Sequence, residues 1–284
     1  MKIITTVKEM QHLSDQVRQS GKTIGVVPTM GYLHAGHLSL VQIAKSKSDV
    51  VVLTIFVNPT QFGPGEDFSK YPRDVEKDKQ LALSAGVDYC FIPSIDEMYA
   101  HPNYTFVDIH TIADVLEGAV RPGHFRGVAT VVAKLFNITK ACIAVFGQKD
   151  AQQIVVIQRM VKDLNFDIEI IVAPIMRELD GLAMSSRNVY LSSAERKESL
   201  VLSQSLRKAE ELIQQGECSC AIIRSEMMKC IKTSPSATID YVSIANNETL
   251  KEYSELKSGD RVLISLAVRI GATRLIDNTI IHIS

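Results

Sequence analysis

The sequence predicts an α/β fold built on a mainly parallel sheet, followed by a smaller C-terminal α+β domain with antiparallel strands. Three observations carry that expectation. Runs rich in Val and Ile alternate with helix-like segments through the first part of the chain. The texture changes after Gly216, where a second helix gives way to strand-like runs joined by short turns, and the boundary is placed near Pro174 to Met176. In order, Thr23 to Val27 reads as a strand and Leu38 to Lys47 as a helix; Val50 to Val57 follows as a strand and Asp74 to Ala85 as a helix. Tyr89 to Ile92 is a short strand, Val128 to Ile138 leads into the strand-like Ala141 to Phe146, and Ile168 to Pro174 completes the series. Unbroken apolar runs of this kind suit parallel strands covered on both faces. Gly21 and Gly86 fall where helices stop, and Ser192 with Glu195 forms a capping box that predicts one long helix to about Gln215. Ala221 to Lys232 is a second helix, and Ile239 to Ala245, Arg261 to Ile270 and Thr273 to Ile283 are strands, the last two joined through Ile270-Gly271-Ala272. The expected domains are 1–175 and 176–284.

Composition narrows the function classes. A chain of 284 residues, 46% hydrophobic and 22% charged, can bury a sizeable core. A formal net charge of −1 and a pI near 6.7 give no bulk positive field to hold nucleic acid or an anionic membrane, so small-molecule partners are expected. No apolar run approaches the ~20 residues that cross a bilayer, and Met1-Lys2-Ile3-Ile4-Thr5-Thr6 turns polar too soon for a secretory signal; a cytoplasmic protein is expected. The five cysteines, Cys90, Cys142, Cys218, Cys220 and Cys230, have no Cys-x-x-Cys spacing and read as reduced packing residues.

Four polar segments each follow an apolar strand-like run: Met30-Gly31-Tyr32-Leu33-His34-Ala35-Gly36-His37, Asn58-Pro59-Thr60-Gln61-Phe62-Gly63, Gly147-Gln148-Lys149-Asp150 and Met184-Ser185-Ser186-Arg187. Segments leaving parallel strands at their carboxyl ends lie along one edge, where ligands bind, so one cleft could collect all four. The first puts two imidazoles and a glycine-bearing backbone at a strand-to-helix turn, which suits phosphate. A helix start disfavours added positive charge, so His34 and His37 are expected to act as neutral hydrogen-bond donors. Lys149 opens a helix-like segment in which Gln153, four residues on, shares its face. Ser185, Ser186 and Arg187 read either as a turn whose hydroxyls bond nearby backbone N–H groups or, beside Gly181, as a loop that closes on phosphate. Arg121-Pro122-Gly123-His124-Phe125-Arg126-Gly127 is either a substrate contact or a structural loop. Asp74 and Asp78, four apart on one helix face, could reach a metal but read as surface carboxylates, and the histidine pair offers no third zinc ligand.

Taken with Tyr71-Pro72-Arg73 and Asp180-Gly181-Leu182-Ala183-Met184-Ser185-Ser186-Arg187-Asn188, these segments resemble, in order, the motifs of the pantothenate synthetase (pantoate–β-alanine ligase) family, from about Ile24 to Tyr190 and more weakly beyond Ser192. His34-Ala35-Gly36-His37 is also similar to the histidine motif of nucleotidylyltransferases and class I aminoacyl-tRNA synthetases. The resemblance implies a Rossmann-like nucleotidylyltransferase domain and a reaction in which ATP and D-pantoate form pantoyl adenylate before β-alanine displaces AMP; from chain order, the smaller C-terminal domain is expected to act as a lid over the cleft. It implies ATP contacts at Met30 to His37, at Gly147, Gln148, Lys149 and Asp150, at the backbone of Met176, and at Met184, Ser185, Ser186 and Arg187. His37 matches the proton donor, Gln61 a contact to both pantoate and β-alanine, Gln153 a second pantoate contact and Asn58 a nearby helper, with His34 and Lys149 assigned to the phosphates. Ile175-Met176 departs from the family's more usual Thr-Val, which puts the shape of the purine pocket in doubt. Mg²⁺ is implied with ATP, held by substrate oxygens and water, and a homodimer is implied. A simple adenylyltransferase, an RNA-charging synthetase and a non-catalytic nucleotide sensor are the competing readings; the near-neutral charge argues against the second.

Overall fold

The computed structural model describes residues 1–99 and 102–284. It forms two compact units, Met1–Gln148 with Val156–Pro174, and Lys149–Val155 with Ile175–Ser284.

The first unit holds strands β1 (Lys2–Ile4), β2 (Ile24–Thr29), β3 (Val50–Ile55), β4 (Tyr89–Phe91), β5 (Ile143–Gly147) and β6 (Glu169–Ala173). They make a six-stranded, all-parallel sheet in the order β1-β4-β3-β2-β5-β6. Its helices are α1 (Val7–Gln19), α2 (Ala35–Lys47), α3 (Val75–Ser84), α4 (Ile95–Met98), α5 (Glu117–Val120) and α6 (His124–Thr139), and α7 (Ala151–Asp163) has residues in both units. The apolar runs become the central strands because both faces are covered: Val27, Val51 and Leu53 pack with Leu40 and Val41 of α2 and Ala82 of α3, while their alternates Val26 and Val52 are also fully buried. α1 and α6 pack on each other and on β2. From β2 the chain builds one way through β3 and β4, then resumes on the other side with β5 and β6. The order therefore reverses between β2 and β5, and the crevice at such a reversal is where open α/β sheets bind ligands.

β1 and α1 were not among the expected elements, although α1 buries Met10, Leu13 and Val17 at helical spacing and stops before Gly21, where a helix end is expected. β1 is a three-residue edge strand, recognisable only by its parallel pairing with β4. α2 begins three residues earlier than its apolar spacing suggests, because its first turn is the polar Ala35-Gly36-His37.

In the second unit, β7 (Ala237–Asn246), β8 (Arg261–Ile270) and β9 (Thr273–His282) form an antiparallel sheet in that order, as the strand-like runs joined by short turns predict. α9 (Val201–Gln214) and α10 (Cys220–Ile231) pack on each other and cover it through Leu202, Leu206, Ile223, Met227 and Ile231 against Ile264, Leu266 and Val268. The expected long helix is instead two: α8 (Ser193–Glu198), opened by the Ser192/Glu195 capping box, stops before α9. The interruption has a local cause: Leu200 N–H bonds the Lys197 carbonyl in a tighter turn and the Ser199 hydroxyl donates to the Arg196 carbonyl. Among the described residues no helix is long and apolar enough to cross a membrane, and all five cysteines are free thiols.

Candidate active site

The first loop leaves β2 at Thr29, whose hydroxyl donates to the Thr54 carbonyl at 2.7 Å and accepts Gly31 N–H at 3.2 Å. Gly31 has φ +85°, and a Cβ there would lie 2.9 Å from both Asp78 Oδ2 and Ile55 Cγ2, so the position demands glycine. Tyr32 also has positive φ, 51°, a costly conformation for a side-chain-bearing residue. Asp78 of α3 holds it there, accepting Tyr32 N–H and Leu33 N–H at 2.7 Å each. Asp78 is 1% exposed, which corrects the surface-carboxylate reading. It is a buried clamp on the loop, while Asp74 caps α3 by accepting Lys77 N–H. Desolvation pushes the Asp78 carboxyl up from the usual carboxylate range, and the two N–H bonds oppose that.

His34 is the N-cap of α2. Its Nδ1 accepts Gly36 N–H at 3.1 Å, His37 Nδ1 accepts His34 N–H at 3.3 Å, and the ring centroids are 4.0 Å apart. A ring that accepts at Nδ1 carries the proton of its neutral form on Nε2. Both imidazoles are thus set up as Nε2–H donors at the positive end of α2.

The second loop leaves β3 and winds into the 3₁₀ turn Pro59–Gln61. Asn58, 1% exposed, accepts at Oδ1 from Thr60 N–H, Thr60 Oγ1 and Tyr99 OH, and donates through Nδ2 to the Gly127 carbonyl and Gln61 Oε1. Gln61 Nε2 donates to Met30 Sδ at 3.1 Å, joining the first two loops. α6 packs directly on this turn: a Cβ on Gly127 would sit 2.3 Å from the Thr60 carbonyl oxygen and 2.7 Å from Gln61 Cα. The Arg121-to-Gly127 stretch bonds the same turn, with His124 Nδ1 2.8 Å and Arg121 Nη2 3.5 Å from the Gln61 carbonyl oxygen. Arg121 also forks onto Glu66, and the Arg121 cation holds the Glu66 carboxyl below its ordinary range although burial works the other way. Burial first, and then the Arg121 charge, push the His124 pKa from 6.5 down to about 4.

The third segment begins at Gly147, the last residue of β5, beside β2. Lys149 lies in the 3₁₀ turn Gln148–Asp150, which runs directly into α7, where Gln153 sits. Lys149 Nζ is 4.0 Å from Asp150 Oδ1, and the Lys149 carbonyl accepts from Asn278 Nδ2 at 2.9 Å. Lys149, Asp150, Gln153, Met176 and Met184 to Arg187 all fall in the second unit. There Met184 N–H bonds the Met176 carbonyl at 2.9 Å, Arg177 pairs with Ala183 across a bridge, and Arg177 forks onto buried Asp277 at 2.7 and 3.0 Å. Ser185 Oγ accepts Arg187 N–H at 3.3 Å and Asn188 Nδ2 donates to the Ala183 carbonyl at 3.1 Å, so the turn reading holds for Ser185. Sequence reasoning missed Asp78, Tyr99 and Asn278 as supports; all three act across long sequence separations that no local spacing encodes.

A parallel sheet with a glycine- and histidine-bearing loop at the reversal of strand order, running into a helix start, defines a Rossmann-like protein of the nucleotide-binding class. The chain belongs to the pantoate–β-alanine ligase family: the sequence model of Pantoate-beta-alanine ligase matches residues 2–280. It is 54% identical to a pantothenate synthetase of Acetivibrio thermocellus over 283 residues, covering 100% of both chains. The crystal structure of pantothenate synthetase from Thermus thermophilus is similar with a TM-score of 0.92 at 44% identity, over 98% of this chain and 99% of that one. The pantoate–β-alanine ligase of Francisella tularensis, complexed with beta-gamma ATP and β-alanine, is similar with a TM-score of 0.79 at 36% identity, over 98% of this chain and 97% of that one.

Proposed function

We infer that this chain is an ATP-dependent, AMP-forming ligase that condenses D-pantoate with β-alanine to pantothenate. The full-length family match carries the reading, and the loops at the β2/β5 reversal supply a chemical rationale. A pantoate carboxylate oxygen attacks the α-phosphorus of ATP and pyrophosphate departs; the β-alanine amine then attacks the acyl carbon, expelling AMP and releasing a proton. A carboxylate of pKa near ~4 is already ionised at neutral pH, so the first step needs no general base. It needs charge stabilisation on the transferring group and the leaving pyrophosphate. His37 and His34, whose neutral rings carry Nε2–H at the α2 start, are the proposed donors, His37 being the proton donor. Lys149, Ser185, Ser186 and Arg187 are proposed for the phosphates, Asp150 for the ribose, the Met176 backbone for adenine, and Gln61, Gln153 and Asn58 for the acid and amine substrates. Met176 keeps its main chain in the Met184 bond, so its departure from the family's usual residue alters a side chain that is 40% exposed.

Magnesium is proposed to arrive as part of the ATP complex, held by phosphate oxygens and water. Among the described residues no group of three or more His, Cys, Asp or Glu is placed to hold a metal ion, and no step above is routed through one. A cytoplasmic homodimer is the proposed state. The test is to mix the protein with ATP, magnesium, D-pantoate and β-alanine and score products. AMP, pyrophosphate and pantothenate in equal amounts are expected; ADP in place of AMP, or no pantothenate, overturns the reading.

A further inference from the structure

The turn Pro59–Gln61 is gripped from both ends, and the grip determines which end of the Gln61 amide is offered. Asn58 Oδ1 accepts the Tyr99 hydroxyl at 2.8 Å, the Thr60 hydroxyl at 2.9 Å and Thr60 N–H at 3.3 Å. An atom surrounded by these donors is the amide oxygen, so the orientation of Asn58 is fixed. Its Nδ2 then donates to the Gly127 carbonyl at 3.2 Å and to Gln61 Oε1 at 3.1 Å. That assignment fixes Gln61 in turn: its oxygen is engaged, and Nε2 faces only the weak acceptor Met30 Sδ in the described contacts.

The main chain of Gln61 is held independently. Arg121 Nη1 lies 3.2 Å from His124 Nε2, and a guanidinium only donates, so His124 accepts there. The ring proton is therefore on Nδ1 and is given to the Gln61 carbonyl at 2.8 Å. Arg121 is itself fixed by Glu66, with Nε to Oε1 at 2.8 Å and Nη2 to Oε2 at 2.7 Å. Tyr99 is 3% exposed and comes from the end of α4, whereas His124 opens α6. Two segments remote from each other in sequence converge on one residue.

We propose that Tyr99 and His124 are positioning residues of the ligase, Tyr99 acting through Asn58 and His124 directly, which together make Gln61 present its Nε2–H as a donor to an oxygen of the hydroxy-acid substrate. This rests on the ligase reading and adds to it the sense of the Gln61 contact and the residues that impose it. The basic turn from Arg121 to Gly127 thereby serves the substrate through Gln61.

The experiment is steady-state kinetics with ATP and D-pantoate varied separately, on wild type, Tyr99→Phe, His124→Leu, His124→Asn, Gln61→Ala and Gln61→Glu, with melting curves as a fold control. Tyr99→Phe deletes one hydroxyl and should raise the pantoate KM on the order of five- to tenfold, the worth of one hydrogen bond, with the ATP KM within about twofold. His124→Leu should do the same, and His124→Asn, whose amide can still donate near Nδ1, should recover most of the loss. Gln61→Glu, which sets an anion against the acid, should weaken pantoate more than Gln61→Ala. Unchanged pantoate KM in Tyr99→Phe and His124→Leu, parallel loss for both substrates, or a Gln61→Glu variant better than Gln61→Ala overturns the inference while wild-type turnover leaves the ligase reading standing. A wild type that makes no pantothenate overturns both.

Discussion

The loop after β2 and the turn at Ser185 to Arg187 are both proposed phosphate contacts, yet the side-chain bonds that shape them differ in reach. Tyr32 and Leu33 of the loop after β2 are bonded to Asp78, 46 and 45 residues away. In the Ser185 turn Ser185 bonds Arg187, two residues away, and Asn188 bonds Ala183, five away. Leu179, Val189 and Tyr190 nearby are exposed, while Ser186 is buried. The loop after β2 takes its shape from a buried carboxylate on α3, whereas the bonds of Ser185 and Asn188 close a local turn that packs on β9. Asp78 thereby preorganises the backbone of the loop after β2 within the first unit.

The largest expected effects come from removing the proposed charge-stabilising groups themselves. His37→Ala and Lys149→Ala should each slow pyrophosphate release roughly a hundredfold or more with melting temperatures near wild type. Near-normal rates in both variants would break the comparison at its root. Next is the clamp: Asp78→Asn keeps its size but turns an amide toward one of two buried N–H groups, so it should cost about 1–3 kcal/mol of stability and raise the ATP KM. Denaturant titration checks the first effect and kinetics the second; an unaltered midpoint would mean that Asp78 is not what holds Tyr32 at positive φ.

Ser185→Ala removes only a local bond and should cost about 0.5–1 kcal/mol at most. A loss in Ser185→Ala as large as that in Asp78→Asn would erase the distinction between the two loops. A separate effect is a pH dependence in the first unit. His124 is held neutral, with its pKa lowered from 6.5 to about 4, by burial and by the Arg121 charge, against the pull of Glu117 and Glu66. The unfolded chain therefore binds the proton first, and the stability due to this group is fully present above about pH 6.5 and lost as pH falls toward 4. Urea titrations of wild type and His124→Leu across that window should converge at low pH; a constant difference would contradict the assignment.

The same contrast explains what could be read in advance. β2, β3 and β5 are unbroken Val- and Ile-rich runs, so burial on both faces announces them. The Ser185 turn was legible because its partner is next to it. Asp78 was not: its spacing from Asp74 is that of two exposed carboxylates, and only the folded sheet brings Tyr32 and Leu33 onto it. The break between α8 and α9 was hidden for the reverse reason, since Ser199 and Leu200 fit a helix and a tighter turn equally well. Within the candidate site the glycines and histidines declared themselves by type and position, while Tyr99 and Asn278 look like ordinary residues until their partners are seen.

Isotope transfer tests the central claim most directly. D-pantoate labelled with ¹⁸O in its carboxylate, incubated with the protein, ATP, magnesium and β-alanine, should give AMP carrying one ¹⁸O and unlabelled pyrophosphate, because the attacking carboxylate oxygen leaves with the nucleotide. Label in inorganic phosphate together with ADP, or AMP free of label, would contradict an acyl adenylate formed by this chain.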